Sequence, residues 1–190
     1  MYELLQDYLQ YNLWANRRLA EQLDQISLEH WEQDLGFSFP NLKQTLLHFM
    51  DAEMIWLKRL QGQSLQGWPS AALREDPSAN FESIRADFLR NSEELIDIAR
   101  NKPASWFESP CGFKSTEGNP HRMIAREILQ HVVNHSGFHR GQIIAGLRVL
   151  GYTGLPSTDF ITWARQRQQE QNLSREAREG DSELQLVYGA

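Results

Sequence analysis

The chain has 190 residues, 41% of them hydrophobic, 11% aromatic and 23% charged, which suits one globular domain with a sizeable core, or at most two small ones. Its net charge of -6 argues against nucleic acid or an anionic membrane surface as the main partner, and no run approaches the roughly 18 apolar residues that span a bilayer. The opening MYELLQDYLQ lacks the basic segment of a secretory leader, and the single cysteine, Cys111, has no partner for an internal disulfide, so a cytoplasmic setting is expected.

Helical periodicity dominates. Over about 2–24, Leu4, Leu5, Tyr8, Leu9, Tyr11, Leu13, Trp14, Leu19 and Leu23 recur at steps of three and four, the pattern of an amphipathic helix. Ser27 then stands before LEHW as the cap of a short turn. A second helix starts after Pro40, with Asn41 as N-cap and Gln44 three residues on, and runs to about 61. Residues 62–80 carry Gly, Pro and Ser punctuation and read as a linker. A third helix covers about 81–101, with Phe81, Ile84, Phe88, Leu95 and Ile98 for packing. Residues 102–118 hold two prolines and two glycines, and a small hairpin with Trp106–Phe107 and Phe113–Lys114 flanking its turn is the weakest of the expected elements. The fourth helix is expected from Asn119 as cap and Pro120 as first helical residue to about Leu150, stopping at Gly151. Residues 169–190 are charged and polar without a core pattern. They read as a C-terminal tail, mobile or partner-binding, outside a helical domain over 1–168. Four long helices without a clear sheet predict an all-α four-helix bundle, and its long connections permit crossovers.

Three of the six histidines lie in HVVNHSGFH at i, i+4, i+8. With His131 set at 0° and about 100° per residue, Ile124, Ile128, Val132 and Ile143 place the apolar stripe near 60–80°. His135 falls near 40° and His139 near 80°, inside the stripe, whereas His131 lies at its edge. Buried polar groups need partners, so an inward i, i+4 pair of imidazoles is either satisfied within the core or binds a metal with ligands from a facing helix. His48, mid-helix in TLLHFMDAEMIW, is the natural third ligand. On its own wheel, however, the apolar positions fall at about 80–160°, which leaves His48 on a flank and puts Glu53, near 140°, closer to the centre. Glu53 is therefore a candidate ligand, a hydrogen-bonding partner of a ligand, or an ion-pair partner of Arg17 or Arg140. Asp51, His30 and His121 are expected at the surface.

Several chemistries are excluded. HVVNH has HxxxH spacing, but Val132 stands where a zincin helix carries its general-base Glu. Glu127 is four residues before His131 rather than three, and no second ExxH pair exists, so a di-iron carboxylate bundle does not fit. Cys111 has no CxxC partner, and neither a phosphate-binding glycine loop nor a GxSxG elbow is present.

WAN in the first helix (Trp14, Ala15, Asn16), the mid-helix His of LLHFMDAEMIW, and above all LQHVVNHSGFHRGQI followed by LRVLGYTGLPSTDFI resemble the DinB/YfiT-like superfamily, over about residues 1–165. The resemblance implies a four-helix bundle with non-simple connections, a homodimer, and a metal triad of one His on the second helix and two at i, i+4 on the fourth. These match His48, His135 and His139 and decide for His48 over Glu53. Many members carry a second His just before the last ligand, where this chain has Phe138. The resemblance further implies one divalent ion per chain (Zn, Ni or Fe foremost), a small-molecule substrate, and either hydrolysis or a thiol-dependent S-transfer or isomerisation with a low-molecular-weight thiol as cosubstrate. The damage-inducible name of the family carries no implication of DNA binding. Glu53, His131 and Arg140 are the candidates for acid or base, Gln142 for support of a ligand, and Trp14 and Trp56 for pocket walls. The competing class is a non-catalytic, metal-stabilised dimeric binding protein.

Overall fold

The computed structural model describes residues 2–63, 65, 80–115 and 118–188, with side chains to 178. It falls into two units, Met1–Pro156 and Ser157–Ala190. In the first, helix α1 (Tyr2–Leu23) is followed by the short α2 (Leu28–Glu32), α3 (Leu42–Leu60), α4 (Phe81–Asn101), the one-turn α5 (Ala104–Phe107), strands β1 (Pro110–Lys114) and β2 (Pro120–Ile124), and α6 (Ala125–Val149). Helices α2, α3 and α4 start where their caps dictate. The Asn41 side chain accepts from the Gln44 N–H at 2.8 Å, that of Asn80 from the Ser83 N–H at 3.0 Å, and Ser27 caps α2 by accepting from the His30 N–H. No helix among the described residues is long and apolar enough to cross a membrane.

α1, α3, α4 and α6 form the expected four-helix bundle, with α3 packed on α6 and α4, and α1 packed on the same two helices. The helices thus alternate around the bundle so that α1 stands diagonal to α3, and α4 to α6. Side-chain pairs fix the directions. Gln6 bonds Ala99, and Arg85 bonds Asp24, so α1 and α4 are antiparallel. Asn91 bonds Met50 and Phe88 packs on Phe49, while Ser92 reaches Glu53, so α3 and α4 run parallel. Tyr8 bonds Asn134 and Arg140 bonds Asn12 and Asn16, so α1 and α6 also run parallel. The order is up-down-down-up, and a parallel neighbour cannot be reached by a short turn. That is the physical use of the long 61–80 connection, most of which, with the expected linker, lies outside the described residues.

The hairpin is real but displaced. β1 and β2 pair antiparallel from Pro110↔Ile124 to Lys114↔Pro120. Trp106 and Phe107 belong to α5 instead of a strand, and α6 begins at Ala125, five residues after Pro120. Asn119 and Pro120 are helix-start signals that the turn uses otherwise. The Asn119 carbonyl accepts from the Ser115 N–H at 2.8 Å, and Gly118 adopts φ +87. Pro110 and Pro120 are each the first residue of a strand, the place in a ladder that tolerates a missing N–H. α6 ends before Gly151, φ +87, as expected.

Leu19, Leu42, Leu46, Phe49, Phe88, Ile143 and Leu147 meet in the core. Gly146 of α6 marks where the loop 33–41 docks. A Cβ there would stand 2.7 Å from Leu42 Cδ2 and 2.9 Å from Leu35 Cδ1. Because Leu42 is itself buried and cannot swing out, Gly146→Val is expected to cost about 3 kcal/mol, with little offset from helix propensity. Urea unfolding of the two proteins checks this, and a loss below about 1 kcal/mol would mean that the loop yields freely.

The second unit is described through one helix, α7 (Phe160–Tyr188). At its start Ser157 and Thr162 hydroxyls lie 2.9 Å apart, and Arg167 covers the Trp163 ring at 5.2 Å. Residues 169–188, read from composition as a polar tail, continue this helix. Over residues 169–178, charged and polar side chains of good helical propensity need no apolar stripe to do so.

Candidate metal centre

The α3–α6 pair is antiparallel, which brings the middle of one helix to the middle of the other. His48 projects from α3 and His135 and His139 from consecutive turns of α6. One ligand atom from each lies within 4.8 Å of the other two. The Nε2 atoms of His135 and His139 are 3.1 Å apart. Two nitrogens about 2.0–2.1 Å from a shared tetrahedral zinc stand about 3.3 Å apart, so this pair is already at the spacing of a chelating pair. His139 is 4% exposed, and His48 and His135 are half-buried.

The protonation chemistry agrees with a cation-binding role. Burial first, and then the neighbouring His139, His48 and His131, push His135 down to about 4. Burial also lowers His139 and His131, with the Gln142 contact opposing the shift at His139. At neutral pH the imidazoles of His135 and His139 are thus uncharged, the state in which they ligate. Gln142 Oε1 sits 2.7 Å from His139 Nδ1. An oxygen there holds the proton on Nδ1 and leaves the Nε2 lone pair facing His135. Removing such a support typically costs 10–100-fold in metal affinity. Gln142→Ala is expected to weaken zinc binding by about that factor, read by chelator competition, while Gln142→Glu retains it.

The other candidates lie elsewhere. His131 is exposed and outside the three-histidine set, its ring 5.6 Å from that of His135 and edge-on to Trp56 at 5.2 Å. Trp14 packs with Tyr11 and under Arg18, on α1. Arg17 pairs with Glu93 at the surface. His121 is exposed and stacks on Phe113, and His30 is half-buried with Nδ1 3.0 Å from the Tyr152 hydroxyl. Cys111 is half-buried, its thiol pushed up by burial and 3.1 Å from the Arg59 carbonyl.

Glu53 is 1% exposed and joins no histidine in the metal-binding group. Its Oε1 accepts from Asn12 Nδ2 at 2.8 Å and Asn16 Nδ2 at 3.3 Å and lies 2.8 Å from the Ser136 hydroxyl, which also lies 2.8 Å from the Val132 carbonyl. Its Oε2 accepts from the Ser92 hydroxyl at 3.0 Å. Arg140 NH1 donates to the side-chain oxygens of the same two asparagines at 2.6 and 2.8 Å. The carboxylate and the guanidinium are therefore joined through two amides rather than directly. The arrangement links all four long helices. The signal for it was present in WAN and HRGQ, but the spacing of Asn12, Ser92 and Ser136 carries no motif. Phe39, which stacks on the His48 ring at 4.3 Å, was likewise not singled out from sequence.

Comparison with known proteins accords with this fold. The DinB family model matches residues 1–173. The curated protein DinB of Bacillus subtilis (strain 168) is 30% identical over 154 residues, 80% of this chain and 88% of that protein. Among solved structures, a DinB-like protein from Bacillus subtilis superposes with a TM-score of 0.60 over 80% of this chain and 96% of its own, at 12% identity, a likeness of fold. The chain belongs to the DinB family.

Proposed function

We propose that His48, His135 and His139 hold one divalent metal ion and that the protein is a metal-dependent enzyme acting on a small molecule. The observation that carries this reading is the convergence of three imidazoles, two of them driven neutral by burial, on a point between α3 and α6. A divalent ion with three histidine ligands keeps open positions, at which it lowers the pKa of water or holds a thiol as thiolate. Zinc, nickel and iron all suit imidazole ligands. The bundle has a hydrophobic core of its own, built from all four of its helices, which favours a catalytic over a structural role for the metal.

The surroundings favour thiol chemistry over hydrolysis. Glu53, the buried carboxylate of α3, is committed to Asn12, Asn16, Ser92 and Ser136 and is not placed to pass protons to a leaving group. A low-molecular-weight thiol asks less of such a site than water does, because it surrenders its proton on binding. The homodimer belongs to the same reading and rests on family likeness, and the cytoplasmic location rests on the single cysteine and the acidic opening of the chain.

The test is metal content after reconstitution with zinc, nickel or iron, followed by a screen of thiols against electrophiles. About one ion per chain and thiol-dependent turnover support the reading. Binding with no turnover and a steep fall in melting temperature on chelation would make the centre structural. No binding would leave a helical bundle with polar core histidines.

A further inference from the structure

Two phenyl rings border the histidine cluster in a way that the core does not require. Phe39 lies half-buried on the loop between α2 and α3, its ring nearly parallel to that of His48 at 4.3 Å and edge-on to that of His139 at 6.0 Å. Phe138 of α6 is 63% exposed, and its ring stands edge-on to His139 at 5.1 Å. Both rings therefore meet one imidazole edge-on, Phe39 from the loop that leads into α3 and Phe138 from α6.

The loop holds Phe39 in place. The Leu35 N–H donates to the Pro40 carbonyl at 2.7 Å, and the Gly36 N–H donates to Asp34 Oδ1 at 2.8 Å, with Gly36 at φ +67. Leu35 and Phe37 close on Gly146 of α6, within 2.9 and 3.4 Å of where a Cβ would stand. Phe39 is thus a fixed wall, and its ring is presented to the histidines before any ligand arrives. Core packing explains Phe49, which faces Phe88 inside the bundle, but not the exposed ring of Phe138.

We infer that Phe39 and Phe138 are specificity-determining residues, and that the small molecule taken at this centre carries a flat apolar ring beside the group that reaches the metal. The inference rests on the three-histidine reading and names the substrate class for that same site. Aromatic rings attract a further ring by offset or edge-on packing, so an aryl ligand gains over an alkyl one of the same head group.

The test uses full-length protein loaded with cobalt(II), titrated with acetohydroxamate and with benzohydroxamate and followed by the visible absorption of the ion. Benzohydroxamate is expected to bind about tenfold more tightly than acetohydroxamate, a difference within the reach of one or two aromatic contacts. Phe138→Ala, at an exposed position that threatens no core, and Phe39→Leu, which keeps apolar volume, are each expected to reduce that preference by about threefold or more while acetohydroxamate shifts by less than about twofold. Equal affinity for the two hydroxamates, or variants that weaken both equally, overturns the aromatic wall and leaves the metal centre standing. Absence of the cobalt spectrum from the wild type overturns both, and the two failures are read on different signals.

Discussion

Glu53→Ala is expected to lower stability by about 3–5 kcal/mol, and Arg140→Met by a similar amount, because each leaves the other charge buried without its counterpart. For a chain of this size that is a fall of about 6–20 °C in melting temperature. The reason lies in how the amides are oriented. Arg140 NH1 takes the oxygens of both Asn12 and Asn16, which turns both NH2 groups toward Glu53. Remove the guanidinium and the amides lose what orients them; remove the carboxylate and Asn12 Nδ2 and the Ser92 hydroxyl lose their acceptor, while Asn16 Nδ2 keeps Ser92 Oγ and the Ser136 hydroxyl keeps the Val132 carbonyl. The double variant Glu53→Ala with Arg140→Met is expected to lose clearly less than the sum of the single changes, since it removes both charges together. Strict additivity would show that the two groups act independently.

The pH dependence of the same network has a definite sign. Burial raises the Glu53 carboxyl above its ordinary value of 4.5, opposed by its hydrogen bonds to Asn12, Ser136 and Ser92 and by the charge of Arg140. A raised value in the folded state means that the proton is held more tightly there than in the unfolded chain. The associated stability is complete below 4.5 and is lost as pH rises through the folded value. The deficit of Glu53→Ala relative to wild type should therefore widen as pH is lowered from 7 toward 5. A deficit that narrows instead would show that hydrogen bonding outweighs burial at this carboxylate.

The helix wheels explain both what was legible in sequence and where it stopped. A bundle helix touches two neighbours, so its buried arc has a centre facing the bundle axis and two flanks facing seams. On α3 the wheel put Glu53 near the centre and His48 on a flank, and both placements are right. Glu53 reaches inward to α1, α4 and α6, whereas His48 faces the α3–α6 seam where the imidazoles meet. On α6 the same logic places His135 and His139 toward α3. Arg140, about 100° further round than His139, turns toward α1. Which seams exist depends on the order of helices around the bundle, and the wheel of one helix carries no information about it. The hairpin was blurred for a different reason. Asn119–Pro120 is a good helix start locally, and only the ladder to residues 110–114 overrides it.

His48→Ala is expected to weaken zinc binding by about a hundredfold or more, and His131→Ala by less than about threefold. Structural zinc sites with four protein ligands gain roughly 10–16 kcal/mol on binding, so one imidazole accounts for about 3 kcal/mol, or some two orders of magnitude. His131 shares the face of His135 and lies nearest it of the remaining histidines, which makes it the fair control. Chelator competition reads both affinities. The metal-free protein supplies an independent arm. His135 is held down to about 4, far below its ordinary 6.5, so unfolding takes up a proton in the interval between them. Stability linked to His135 is present above 6.5 and is lost as pH falls toward 4. His135→Asn should flatten that part of the melting-temperature profile, since an asparagine does not titrate there. A large affinity loss in His131→Ala with little in His48→Ala would move the centre one turn along α6 and break the case built on His48. Equal small losses in both would mean that no three-histidine chelate forms.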